Sequence, residues 1–165
     1  MSGSAELRLR PLEADDRACM RAFATERWGA PVAVSGGRLH RLDQLPGLVA
    51  LDPDGGIAGV VTWLIEADDC ELVSIDALVE GHGVGTALIE AACRAAAAAG
   101  CSRVHLVTTN DNMRALRFYQ RRGFVLRELR AGAVEHSRRL KPEIPLIGAD
   151  GIPIRDELVL ERSLS

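Results

Sequence analysis

The strongest constraint on this chain is a strand that runs into a glycine-rich loop and then directly into an alanine-rich helix. Residues 70–78 are β-rich, Gly81-His82-Gly83-Val84-Gly85 follows, and residues 86–99 read as a helix closed by Gly100. Such a junction aims free backbone N–H groups and the positive end of a helix dipole at one point, which suits a phosphate. Glycine lets the backbone approach an anion with no Cβ in the way and permits positive φ. The loop alone does not choose a ligand. A Rossmann G-x-G-x-x-G would need glycine or alanine at position 86, where Thr86 stands, and no Gly-Lys-Ser/Thr follows to make a Walker loop. The plain alternative is a loop whose glycines serve only a tight turn.

The surrounding elements fix the fold class. Residues 7–10 alternate like a short strand, and Glu13, Asp15 and Asp16 then crowd the start of a helix that runs to Trp28, stopped by Gly29 and Pro31. Residues 30–45 show no clear period and read as a loop with a short helical piece. Residues 48–51 and 57–66 flank Asp52-Pro53-Asp54-Gly55-Gly56 and should form a hairpin. After the alanine-rich helix come a strand at 104–108, an amphipathic helix at 112–122 ended by Gly123, and strands at 124–129 and 158–161. The result is a mixed α+β fold: a mostly antiparallel sheet with helices on both faces, one domain over residues 1–165. Residues 130–157, with Pro142, Pro145 and Pro153, form an insertion before the last strand, too long to be an idle connection.

Composition excludes several classes of function. A net charge of −3 and a pI near 5.8 leave no electrostatic footprint for nucleic acid. No apolar run is long enough to span a membrane, and the first residues lack the basic and apolar regions of a signal peptide. Cys19, Cys70, Cys93 and Cys101 form no C-x-x-C pair and no zinc-type spacing with the histidines. They imply reduced, packed thiols in the cytoplasm and no metal site.

Two motifs carry a resemblance. Residues 75–89, Ile75-Asp76-Ala77-Leu78-Val79-Glu80-Gly81-His82-Gly83-Val84-Gly85-Thr86-Ala87-Leu88-Ile89, resemble the acetyl-CoA-binding segment of the GNAT N-acetyltransferase superfamily, whose pattern is Arg/Gln-x-x-Gly-x-Gly/Ala. Downstream, Asn112-Met113-Arg114-Ala115-Leu116-Arg117-Phe118-Tyr119-Gln120-Arg121-Arg122-Gly123-Phe124 is similar to that family's Asn-x-x-Ala-x-x-Phe-Tyr-x-x-x-Gly-Phe. The resemblance implies a GNAT acyl-CoA acyltransferase fold, acetyl-CoA as co-substrate, and transfer of acetyl to a primary amine of a small molecule or peptide within a ternary complex. It implies that the backbone of His82, Gly83, Val84, Gly85 and Thr86 wraps the CoA pyrophosphate, and that the strand around Ile75 and Ala77 pairs with the pantetheine arm. Asn112 would hydrogen-bond that arm. One position departs from the pattern: Glu80 stands where the family has Arg or Gln, and an acid near a pyrophosphate is unfavourable unless it is paired or turned away. The alternative that this departure favours is a degenerate CoA-binding sensor or interaction module without catalysis.

The implied reaction needs a proton acceptor for the ammonium, a strand N–H near residues 76–78 for the oxyanion, and a proton donor for the leaving thiolate. Tyr119 matches the family tyrosine and is the single tyrosine of the chain. With an ordinary pKa of about 10 it is protonated at neutral pH and able to donate. Glu71 is the candidate base: plain strand alternation puts it on the face of Ile75, four residues on, and Asp76 on the opposite face as a structural or solvated acid. Water-mediated proton loss competes with Glu71. Acceptor choice falls to residues 23–40, including Trp28 and Arg38, and to the 130–157 segment. That segment offers Glu143, Asp150, Asp156 and Glu157 to a cationic acceptor, against Arg138, Arg139 and Lys141. The alternating end at 156–161 is an edge-strand candidate that could pair in a homodimer.

Overall fold

A computed structural model describes residues 6–79 and 81–164, so Glu80 lies outside the described residues. The elements run β1 (Arg8–Pro11), α1 (Ala14–Trp28), β2 (Val32–Ser35), β3 (Arg38–Arg41), a 3₁₀ turn (Leu42–Gln44), β4 (Gly47–Leu51), β5 (Ile57–Glu66), β6 (Asp69–Ala77), α2 (Val84–Ala98), β7 (Arg103–Thr109), α3 (Met113–Gln120), β8 (Val125–Arg130), α4 (Ala133–Leu140) and β9 (Glu157–Ser163). The main sheet has the order β1-β4-β5-β6-β7-β9-β8. Every neighbouring pair in it is antiparallel except β6 and β7. The expected mixed α+β architecture, with helices on both faces, is present. No described helix is long and apolar enough to cross a membrane.

Local chemistry explains the elements. Glu13 and Asp16 form a capping box at the start of α1, and Arg10 clamps the Asp16 carboxylate at 2.7 Å. Gly29 ends the helix in the left-handed region, its N–H bonded to the Thr25 carbonyl. The alanines of α2 let that helix lie close on the sheet, where Leu88, Ile89, Ala92 and Cys93 join the main core with Val61, Val104, Phe124 and Leu160. α1 covers the opposite face with Ala24, against Leu42 and Leu45.

The structure corrects three expectations. Residues 30–45 are not an irregular loop but a β2–β3 hairpin followed by the 3₁₀ turn. Gly36 and Gly37, both at positive φ, make the two-residue turn that a right-handed twist favours. The strand at 156–161 is not an edge: β9 lies between β7 and β8, and β8 is the terminal strand. The 130–157 segment, expected to be more than an idle connection, contains α4 and a small antiparallel bridge, Ile147↔Pro153. Cys19 is exposed, whereas Cys70, Cys93 and Cys101 are buried as expected.

Candidate active site

Gly83 caps α2 in the left-handed region at φ 71°, and a Cβ built there would meet nothing within 4 Å. An early intrahelical bond of α2 joins the Ala87 N–H to the Gly83 carbonyl at 3.0 Å, and the N–H groups of Val84, Gly85 and Thr86 precede it. They face a cleft of about 520 Å³. Of the residues expected to hold the donor, Ile75, Ala77, Gly83, Val84, Gly85, Thr86 and Asn112 line this cleft together. His82 is exposed on the same loop and lies outside the lining. Gly85 has a second reason to be glycine: a Cβ there would stand 3.0 Å from the Phe118 ring.

Sequence reasoning missed the positive charge of the cleft. Arg27, Arg114 and Arg122 line it, from α1, α3 and the turn after α3. Arg122 is fixed in place: it donates to Thr86 Oγ1 at 2.9 Å and to the Phe118 carbonyl at 2.8 Å, and its guanidinium lies 3.7 Å above the Phe118 ring. Three guanidinium groups around a helix N-terminus suit a polyphosphate. The signal was present in the second motif, which carries Arg114 and Arg122 at its two ends.

The strand beside the cleft is interrupted twice. The β6–β7 ladder runs only from Asp69↔Arg103 to Leu72↔Leu106, after which the strands part and the β6 edge opens. In addition, Thr62 pairs with Ser74 but Trp63 with Leu72, so Val73 is an extra residue, a β-bulge. A bulge inverts the alternation beyond it. Cys70 and Leu72 face the main core, and after the bulge so do Ile75 and Ala77. Val73 packs toward α1, and Ser74 and Asp76 line a small cavity with Met20, Phe23 and Ala24.

Glu71 therefore does not share the face of Ile75, which corrects the expectation from plain alternation. Its carboxylate accepts from Ser35 Oγ at 3.0 and 3.1 Å and lies 3.5 Å from His105 Nε2 and 3.6 Å from His40 Nε2. It lines neither of the two large cavities. Burial alone would lift its pKa, but the hydrogen bond and charge of His105, with His40 and Ser35, hold it below the usual carboxylate range. His105 is raised in turn by its bonds to Glu71 and Asp69. Burial lowers His40, which sits neutral against Ser35. This network fastens the β2–β3 hairpin to the sheet. Glu71→Gln should lower stability by about 2–4 kcal/mol, because His105 loses a buried partner, with acetyl-CoA affinity unchanged; paired melting curves and titrations check this.

Asp76 is the opposite case. It is 8% exposed, its Oδ1 lies 3.5 Å from Arg27 Nε, and its Oδ2 is buried with no hydrogen-bond partner among the described residues. Burial pushes its pKa up to about 6, against the opposing charge of Arg27. It lines the donor cleft. Its side chain is buried rather than solvated, and among the described residues Oδ2 has no hydrogen-bond partner.

A second cavity of about 360 Å³ adjoins the first, sharing Ile75 and Asn112. Tyr119 lines it and is otherwise packed edge-on between Phe118 and Phe124, with ring centroids 5.3 and 5.6 Å away. Burial, and then the Asp76 charge, raise its pKa, so it stays a phenol. Asn112 accepts from the Ala115 N–H as the cap of α3, which leaves its amide N–H groups for other partners. The roof of this cavity is the β2–β3 hairpin and the 130–157 segment, through Val32, Val34, Lys141, Ile144 and Ile154. Trp28 lines it as well, whereas Arg38 is spent on Glu66 at 2.5 Å.

Comparison with known proteins decides the family. The sequence matches the Acetyltransferase (GNAT) family over residues 9–124. The chain belongs to the GNAT acetyltransferase family. It is thus an acetyl-CoA-dependent N-acyltransferase by descent. Two relatives from Bacillus subtilis (strain 168) are "Uncharacterized protein YxbD", 44% identical over 87% of this chain and 90% of its own, and "Uncharacterized protein YdhI", 43% identical over 85% and 88%. Among solved structures, an IAA acetyltransferase from Bacillus cereus matches with a TM-score of 0.74 at 20% identity, over 96% of this chain and 99% of its own. A Bacillus subtilis acetyltransferase in complex with CoA matches with a TM-score of 0.71 at 20% identity, over 97% and 100%. These two share the GNAT fold with this protein.

Proposed function

We propose that this GNAT enzyme moves acetyl from acetyl-CoA to the primary amine of a small molecule or peptide by direct attack, with Asp76 as the base and Tyr119 as the acid. The donor's phosphates lie at the N-terminus of α2 among Arg27, Arg114 and Arg122, and its pantetheine arm lies along Ile75 to Ala77, where β6 is paired with β5 but has no partner on its β7 side. The amine enters from the second cavity. Asp76 first takes a proton from the ammonium, and the neutral nitrogen then attacks the thioester carbon. The tetrahedral intermediate re-forms its carbonyl as the carbon–sulfur bond breaks, and the leaving thiolate takes the Tyr119 hydroxyl proton. The second nitrogen proton restores the phenol, and Asp76 releases its proton to solvent.

The observation that carries this reading is the buried Asp76 Oδ2, which has no hydrogen-bond partner among the described residues and lies beside the first cleft. A carboxylate oxygen left buried without a hydrogen bond lowers stability, and such groups concentrate where a proton must be taken up. A sensor that only binds CoA has no use for it, which weighs against the degenerate alternative. The three buried thiols fit a cytoplasmic enzyme: burial lifts Cys70 to about 12, so it packs as an inert hydrophobe.

Calorimetric titration with acetyl-CoA, with NAD as the control, tests the donor site, and thiol release with an amine panel tests transfer. Tyr119→Phe should lower kcat by about 10- to 100-fold, the loss of one hydrogen bond to a developing charge, with little change in acetyl-CoA affinity. An unchanged kcat removes Tyr119 from the reaction.

A further inference from the structure

The amine's other end can be read from the second cavity, given the reading that an amine enters there. Its wall is largely apolar, with Trp28, Val32, Leu42 and Ile144, and its uncharged polar members include Thr108 and Asn112. Among the residues that line it, one carries a formal charge: Lys141. No carboxylate lines it, so a polyamine would bring its second ammonium into an apolar space beside another cation. The 130–157 segment thus contributes a cation here, while Glu143 is exposed at its own surface.

Lys141 is held so that it can be used. Its Nζ donates to the Val32 carbonyl at 2.9 Å. An ammonium has three donors, so two remain for the cavity. Burial lowers its pKa, with Glu143 as the nearest opposing charge. A half-buried cation in an apolar wall is costly unless an anion meets it. Its mounting is rigid: Arg138, one turn before it, donates to the carbonyls of Ile144, Pro145 and Ile154, which ties the two sides of the segment together.

We propose that the acceptor is an amino acid in the broad sense, a small amine with an apolar body and one carboxylate, and that Lys141 binds the carboxylate. One cation in an apolar wall balances one negative charge, which favours a monocarboxylate over a phosphate ester. A cavity of about 360 Å³ has the size of a small-molecule site. The lysine selects the substrate and takes no part in the bond changes.

The test compares amines with and without the carboxylate, by thiol release from acetyl-CoA: L-phenylalanine with 2-phenylethylamine, L-leucine with isopentylamine, 6-aminohexanoate with hexylamine, and spermidine. The acid should lead in at least one pair by about tenfold or more in kcat/KM, the scale of one charge-assisted hydrogen bond. Lys141→Met should bring that ratio close to one through KM, with kcat and acetyl-CoA affinity kept, and Lys141→Arg should retain the preference. A wild-type preference for the decarboxylated amines or for spermidine overturns the inference, as does a ratio that survives Lys141→Met. If no amine in the panel reacts while calorimetry shows acetyl-CoA bound, the inference falls and the donor site stands. If acetyl-CoA does not bind either, the reading beneath it falls too.

Discussion

Asp76→Asn should yield a protein that is more stable than the wild type and nearly inactive. The carboxylate's pKa stands at about 6 instead of an ordinary 3.8, chiefly through burial. At about 1.4 kcal/mol for each factor of ten in proton affinity, that displacement is worth about 3 kcal/mol. The sign follows from linkage: a folded-state pKa above the unfolded one means that stability falls as pH rises from about 4 to about 6, and stays lower above that. Asparagine removes this loss, so the variant gains up to about 3 kcal/mol at pH 7, or roughly 6–12 °C in Tm for a chain of this size, and gains little at pH 4. Removing the base should lower kcat/KM by about 10²- to 10⁴-fold. The wild type's rate should also show an acid limb with a midpoint near 6, absent from the variant. Melting curves at pH 4 and 7 and a pH–rate profile check all three, and a destabilised, fully active variant would sink the assignment.

The second large effect belongs to Gly83. Gly83→Asp places a side chain and a negative charge at the start of α2, where the donor's phosphates are expected, and should weaken acetyl-CoA binding by more than about 100-fold, as like charges repel in a partly dry cleft. Backbone strain is a separate matter, because Gly83 sits at φ 71° with open space beside it. Gly83→Asn brings a side chain of nearly the same size, with a similar tolerance of the left-handed region and of the helix cap, and no charge. The two variants should therefore melt alike and differ in titration with acetyl-CoA. Equal affinities for the two would take the phosphates away from this helix terminus.

Much of this was legible in the sequence. The glycine loop and the motif from Asn112 to Phe124 mark residues that line the first cleft, Gly83, Val84, Gly85, Thr86 and Asn112 among them. Residue-level roles were less legible where they depended on a local irregularity. Val73 looks like any strand valine, yet as a bulge it turns Glu71 away from Ile75 and gives Asp76 the face that looks toward α1. Nothing in the residue types marks that position, since bulges come from pairing with a partner strand. The β2–β3 hairpin was missed for a related reason: four-residue strands are too short to show a period, and Ser35 and His40 face inward only because Glu71 awaits them. The charge of the acceptor cavity was illegible because the 130–157 segment offers both signs, and only its folding decides that Lys141 points inward.

The short ladder between β6 and β7 has a consequence for how the molecule moves. The main sheet is two half-sheets, β1-β4-β5-β6 and β7-β9-β8, zipped together over four rungs near one end. Beyond the last rung the halves stand apart like an open book, and whatever occupies the gap serves as the binding of its spine. A bound donor would thus act as a missing strand as well as a reactant. Slow amide exchange should spread along residues 73–77 and 107–109 as the gap fills, and the free enzyme should breathe most along that seam.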